Sequence, residues 1–260
     1  YQVETLIFGR ALERVTKPER IIIGSKNKTI SIFYKQFLKK FTNKLIFMNF
    51  QSAELAKIAI NCFLMSSVTT TNSLSEICEK IGADWDDIAK SLKLDKRIGK
   101  YAYLKPGLGL SGGNLERDLT TISNITKKLG TYTNLFKSWS ENSQYRKNWV
   151  FNILYDQVLS KIKKPTISIW GLTYKENTNS IKNSPALELL LKIKHHKIKV
   201  FDPKIKTLKI DSTSINSELN ISNTLIDSDV LCVMTNWEIF RTKEAKQAIK
   251  KMKNKIIIDP

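Results

Sequence analysis

Residues 165–203 read "PTISIWGLTYKENTNSIKNSPALELLLKIKHHKIKVFDP". A proline and a short β-branched run come first, then a polar segment, then an apolar-periodic run opening at Ser184-Pro185, and finally a second short apolar run closed by Asp202-Pro203. That order is strand, loop, helix, strand, with Ser184 as the predicted N-cap. The alternation continues through the strand "SDVLCVMT", the helix "TKEAKQAIKKM" and the strand "KIIID". Short apolar strands joined by crossover helices predict an α/β architecture with a parallel sheet covered on both faces. Such sheets take ligands outside the carboxyl ends of their strands. The polar runs "GLTYKENTNSIKNSP", "DPK" and "TNWEIF" fall there and would line a cleft.

Upstream of Pro165 the pattern is different. Ser52, with Glu54 in the first turn, is expected to open one long helix through Leu55, Ile58, Ala59, Cys62 and Met65 toward Gly82. A short helix follows at "DWDDIAKSLKL", then helices from about Leu115 to Leu129 and from Tyr132 to Leu159. The middle of the chain is thus helical, and an apolar outer face would make it a dimer-forming core. Before it, "ERIIIGS" and "NKLIFMN" read as strands around the helix "KTISIFYKQFLKKF".

The chain has 260 residues, 42% of them hydrophobic, enough for packed cores. No apolar run approaches the roughly 20 residues that span a bilayer, and the start lacks a charged head with an apolar signal core. A soluble, cytoplasmic protein is expected. Cys62, Cys78 and Cys232 stand far apart, with only two histidines, so free buried thiols are expected rather than zinc ligands or disulfides. The net charge of +19 raises nucleic-acid binding. Yet the lysines are spread evenly, and "KIKHHKIKV" has no interleaved aromatics and alternates as an approach to a strand would. Neither nucleic acid nor membrane is an expected partner. With no initiator Met before Tyr1 and a stop at "KIIIDP", just after an apolar strand, both ends read as cut.

One run poses a question of its own. "PGLGLSGGNLERD", residues 106–118, carries the G-x-G-x-x-G spacing of a dinucleotide loop at Gly107, Gly109 and Gly112. Such a loop follows a buried strand and has an acid about 20 residues later. The preceding "GKYAYLKP" is polar and proline-ended, so the cofactor reading fails its context.

In order along the chain, "AELAKIAINCFLMSSVTTTNSLSEICEKIGAD", "DKRIG", "PGLGLSGGNLERDL", "GLTYKENTNSIKNSPA", "VFDPK" and "TNWEIF" resemble the UDP-glucose/GDP-mannose dehydrogenase family. The resemblance implies three parts: residues 1–50 as the end of an NAD-binding Rossmann domain, 51–160 as a helical dimerisation domain, and 161–260 as a Rossmann-like nucleotide-sugar domain. It implies NAD as cofactor, a nucleotide-sugar as substrate, a homodimer, and a chain lacking most of the NAD domain. The glycine loop would then wrap the sugar and present the catalytic residue.

Residue by residue, the resemblance makes Lys57 and Asn61 the donors to a developing oxyanion. Four apart on a helix they share a face, as two solvated side chains on a lysine-rich helix also would. Asp118 becomes the acid that positions water, though it would equally compensate a helix N-terminus. Arg97, Tyr103, Gly107, Leu110, Gly112, Tyr174 and Lys175 are implied on the substrate side, Arg97 from across the dimer interface although by itself it would read as a surface charge, and Lys182 on the cofactor side. Thr178 and Gly171 keep the family pattern; Ser180 and Lys182 stand where it prefers Asp and Arg, so a phosphate would lose a bidentate partner. Trp237 is either core packing or a ligand contact. Leu110 replaces an aromatic, so looser packing on substrate is expected.

Two departures bear on chemistry. The nucleophilic cysteine of the family is Asn114, and an amide is no nucleophile at neutral pH. The family's Glu before Gly9 is Phe8, and a phenyl ring does no base work. Covalent aldehyde oxidation is therefore expected to be disabled, and the chain as given is expected to be an inactive, divergent nucleotide-sugar 6-dehydrogenase; the alternative is a pseudoenzyme that binds a nucleotide-sugar or dimerises without chemistry.

Overall fold

The computed structural model describes residues 1–7, 9–210 and 213–260. They form two compact units, Tyr1–Leu64 and Met65–Pro260. Phe8 lies outside the described residues.

The first unit contains β1 (Gln2–Val3), α1 (Ala11–Thr16), β2 (Ile21–Gly24), α2 (Ile32–Lys39), β3 (Leu45–Met48) and the start of α3 (Phe50–Ile81). β2 lies in the middle, antiparallel to β1 and parallel to β3. Its three isoleucines are split by the two-residue strand period. Ile21 and Ile23 pack on Leu38, while Ile22 packs on Val3 and Ala53. α2 starts where Ser31 Oγ accepts from the Tyr34 amide at 3.2 Å. The start of α3 differs from the expectation at Ser52. Asn49 Oδ1 accepts from the Ser52 amide at 2.8 Å, so the asparagine is the cap and the helix is under way by Phe50.

The second unit holds the rest of α3, then α4 (Trp85–Leu94), α5 (Asn114–Leu129), α6 (Asn134–Lys147) and α7 (Trp149–Leu154), which runs into a π turn at Tyr155–Leu159. The expected single helix from Tyr132 to Leu159 is therefore broken. The Asn148 amide bonds back three residues, to the Tyr145 carbonyl at 3.1 Å, tightening the last turn of α6. The Ser160 amide reaches five residues back, to Tyr155, which widens the final turn.

After Pro165 come β4 (Thr166–Trp170), α8 (Pro185–Ile193), β5 (Lys197–Phe201), β6 (Thr207–Ile210), β7 (Thr213–Asn216), α9 (Ile221–Leu225), β8 (Val230–Val233), α10 (Lys243–Ile249) and β9 (Ile256–Ile258). β5, β4, β8 and β9 lie side by side in that order, all parallel as expected. The antiparallel β6/β7 hairpin and α9, between β5 and β8, had no counterpart in the sequence pattern. β5 does not alternate cleanly: its exposure falls steadily from Lys197 to the buried Val200 and Phe201.

β4 is buried at every position because helices cover both faces of the sheet. Ile167 and Ile169 pack with Leu190, Val200, Val230 and Cys232. Trp170 packs on the other face with Phe201, Leu231, Ala245 and Ala248. Ser168 shares that second face, and its hydroxyl is satisfied by the Thr224 carbonyl and by Ser228 Oγ. β4 leads to β5 on one side while β8 pairs on the other, so the chain switches direction beside β4. The loop that leaves its carboxyl end, residues 171–184, sits at that switch point.

Candidate functional site

The glycine loop, residues 106–113, joins no strand to a helix; the preceding regular element is α4 and α5 follows. It therefore does not fit a dinucleotide pyrophosphate, as its polar approach predicted. Its backbone is instead fastened by side chains of the helices around it. The Gly107 amide donates to Asn72 Oδ1 on α3 at 2.8 Å, and its carbonyl accepts from Arg146 Nε on α6 at 3.1 Å. The Leu110 amide donates to Ser143 Oγ at 2.8 Å.

Two glycines in the loop have no substitute. Gly109 has φ 76°, and a Cβ there would stand 2.6 Å from the Ser143 carbonyl oxygen. Gly112 has φ 79°, and a Cβ would stand 2.7 Å from the Tyr174 ring. Both combine a left-handed backbone with a close approach, which only glycine meets without strain.

Tyr174 brings in the loop after β4. Its ring covers Gly112, its carbonyl accepts from Ser111 Oγ at 3.5 Å, and its amide donates to the Ser180 carbonyl at 3.1 Å. The Lys175 ammonium lies 5.7 Å from the Tyr174 ring centre. Desolvation raises the Tyr174 phenol above its ordinary pKa. Tyr103 comes to the same loop: desolvation of its hydroxyl, then the Glu176 carboxylate, raise its phenol, although 51% of the residue stays exposed. The aliphatic chain of Lys182 lies against Gly113, which puts its charge beside the start of α5. A helix N-terminus and an ammonium together favour an anion.

The base of this second loop is set by Asp202, buried at the end of β5. Its Oδ2 accepts from the Leu172 and Thr173 amides at 2.7 and 3.2 Å, and its Oδ1 from the Lys204 and Ile205 amides at 2.8 and 3.1 Å. Ser184 caps α8 as expected, accepting from the Ala186 amide at 3.2 Å.

Asn114 is the first residue of α5, and its side chain is exposed. Asp118, one turn on, is buried and pairs with Arg117 at 3.1 Å. Loop, Asn114, Tyr103, Tyr174, Lys175 and Lys182 are thus gathered in the second unit. Lys57 and Asn61 are described with the first unit, one turn apart on α3, with Lys57 partly exposed and Asn61 buried.

Leu110 and Arg97, both expected on the substrate side, have the following surroundings. Leu110 is 1% exposed and lines a cleft of about 530 Å³ between α5 and α6, with Leu119 and Phe136. The amide held by Ser143 keeps it inward, packed behind the loop. Arg97 is exposed and pairs with Asp95, two residues back, at 2.6 Å. Trp237 is buried, in keeping with core packing. Cys232 is buried inside the sheet, which pushes its thiol from 9.0 up to about 12.

Sequence reading missed Asn72, Ser143, Arg146, Lys147, Glu116 and Asn183, which hold the loop from outside it. They come from three helices and the loop after β4, with no shared local pattern. Only Asp202 had a signal, an acid followed by proline at a strand end. Among the described residues no cluster of His, Cys, Asp and Glu could hold a metal, and no helix is long and apolar enough to cross a membrane.

Two family models match the chain: the UDP-glucose/GDP-mannose dehydrogenase family, central domain, over residues 51–144, and the UDP binding domain of the same family over residues 168–260. UDP-glucose 6-dehydrogenase TuaD of Bacillus subtilis is 28% identical over 260 residues, covering 98% of this chain and 56% of that one. UDP-glucose 6-dehydrogenase of Rickettsia bellii is 28% identical over 267 residues, covering 98% and 61%. This chain therefore spans under two thirds of the length of either relative. Among solved structures, a UDP-glucose dehydrogenase from Pyrobaculum islandicum superposes with a TM-score of 0.82 at 22% identity, covering 99% of this chain and 62% of its own. A UDP-D-ManNAc dehydrogenase from Pyrococcus horikoshii gives 0.80 at 20% identity, covering 98% and 59%. At such identities both attest the fold.

Proposed function

The chain belongs to the UDP-glucose/GDP-mannose dehydrogenase family, and on that premise we propose that it seats a nucleotide-sugar whose sugar end meets Asn114. The observation that carries this reading is the glycine loop, fastened by Asn72, Ser143 and Arg146 and closed by Tyr174 directly before residue 114. The loop after β4 takes the nucleotide side, where Lys175 supplies charge for its phosphates, with Lys182 on the cofactor side. Residues 1–50, 51–160 and 161–260 are read as the end of an NAD domain, a helical dimerisation domain and a nucleotide-sugar domain. Exposed Leu74, Ile77 and Ile81 on α3 support a second copy as partner of that helical part.

The chemistry follows from what each group can do. Lys57 and Asn61 are the residues that family membership assigns as donors to an oxygen gaining negative charge when a sugar alcohol is oxidised. Asp118 orients water from one turn into α5. NAD, if bound, would supply the hydride acceptor, with Lys182 on its side; the glycine loop of this chain offers it no pyrophosphate seat. Asn114 cannot add to an aldehyde as a thiolate does, so the path from aldehyde to uronate is closed at that atom. Given NAD and UDP-glucose, the chain is expected to release no uronate. Uronate rising in proportion to chain concentration would overturn this reading.

The exposed Asn114 also favours a second reading, a chain that binds the nucleotide-sugar and assembles without chemistry. NADH formed without uronate separates the first reading from the second.

A further inference from the structure

A charge cluster centred on a buried lysine lies behind the glycine loop, with its two glutamate side chains 27% and 31% exposed. The Lys147 side chain, at the end of α6, is only 6% exposed, and its ammonium lies 2.9 Å from Glu116 Oε1 and 3.0 Å from Glu188 Oε1. Glu116 is in the first turn of α5, two residues after Asn114; Glu188 is in the first turn of α8. The second Glu116 oxygen accepts from Asn183 Nδ2, and the same amide donates to the Gly112 carbonyl at 3.2 Å. Gln144 Nε2 donates to the second Glu188 oxygen at 3.3 Å. A continuous polar path thus runs from Gly112 through Asn183, Glu116 and Lys147 to Glu188.

Burial opposes the ammonium, yet the hydrogen bonds to both glutamates outweigh it and hold Lys147 above its ordinary pKa. One cation between two carboxylates leaves the cluster with one excess negative charge. Without Lys147 the two carboxylates would face each other with no counter-ion, and Glu116 would have to turn away. Turning Glu116 releases Asn183, and with it the carbonyl of Gly112.

We propose that Lys147 is a positioning residue for the sugar loop: by clamping Glu116 to Glu188 it ties the start of α5, and residue 114 with it, to the helix that follows the nucleotide-side loop. The two sides of the substrate seat then hold one geometry. This rests on the proposed substrate site for its ligand readout, while the state of the loop itself can be read without ligand.

The test is Lys147→Met, with hydrogen exchange measured on the whole chain. The Gly107 and Leu110 amides are expected to exchange at least tenfold faster, while the Ile167 and Ile169 amides of β4 keep their rates. Affinity for UDP-glucose should fall about tenfold while affinity for UDP changes less than twofold, a split that a general loss of stability does not produce. Adding Glu188→Gln to that variant removes the repulsion and should restore most of the loop protection. Unchanged loop exchange, or faster exchange spread equally over β4, overturns the proposal. If Lys147→Met does not fold, Glu188→Gln alone decides: loop exchange rising at least threefold supports the clamp, and no change overturns it. If the unaltered chain binds neither UDP-glucose nor UDP, the substrate reading fails, and the exchange result still judges the clamp.

Discussion

The side-chain amide of Asn183 donates to the carbonyl oxygen of Gly112 at 3.2 Å, so the loop that follows β4 and the glycine loop share a hydrogen bond across 71 residues of chain. Loss of one such bond costs about 1 kcal/mol, roughly fivefold in an equilibrium. Asn183→Ala should therefore weaken UDP-glucose binding by about fivefold or somewhat more, since Glu116 loses a partner too. Titration calorimetry checks this, and an unchanged affinity would show that the shared bond does not shape the seat.

Gly112→Ala should be worse. The new Cβ would stand 2.7 Å from the Tyr174 ring, on a backbone with φ 79°. Strain of this kind costs on the order of 1–3 kcal/mol. Trimming the ring with Tyr174→Ala removes the collision but not the backbone strain. A double-mutant cycle on thermal stability should then show the pair less destabilised than the sum of the two single changes. Additive effects would mean that the ring is free to move aside.

Asn114→Cys places a thiol at the first position of α5, where the helix dipole lowers thiol pKa. It should react with iodoacetamide at neutral pH much faster than Cys232, which the sheet encloses. A thiol at residue 114 as slow as Cys232 in the folded chain would mean that the loop does not present this position to solvent.

Cys232 gives a pH dependence. Its thiol is pushed from 9.0 to about 12 by burial, so the folded state prefers the neutral form. The stability this thiol contributes is complete below pH 9 and falls as pH rises toward about 12. Cys232→Ala lacks that titration, so its stability should fall less steeply over the alkaline range. Parallel denaturation curves for the two proteins between pH 9 and 11 would contradict the assignment.

The parallel sheet was legible because each of its strands is a short apolar run with its own punctuation, Pro165 before β4 and Asp202-Pro203 after β5. The β6/β7 hairpin was not, because "TLKI" and "TSIN" are too short and too polar to stand out from a loop. The long helix could be read from its period, but its cap was misplaced by three residues, since both Asn49 and Ser52 are good caps and only the backbone decides between them. The failure of the dinucleotide reading came from what precedes Gly107. The position of Leu110 did not come through in the sequence: only folding shows that Ser143, 33 residues away, turns it inward. Lys147 was hidden among many lysines, and nothing local marks the one whose ammonium is enclosed by two glutamates.

The central claim is that this chain holds a nucleotide-sugar by both ends, with the sugar in the glycine loop. Calorimetric titration of the chain with UDP-glucose and, separately, with UDP tests it most directly. The account predicts that UDP-glucose binds at least tenfold more tightly than UDP and that Gly112→Ala removes most of this difference. Equal affinities for the two ligands, or a difference that survives Gly112→Ala, would contradict it.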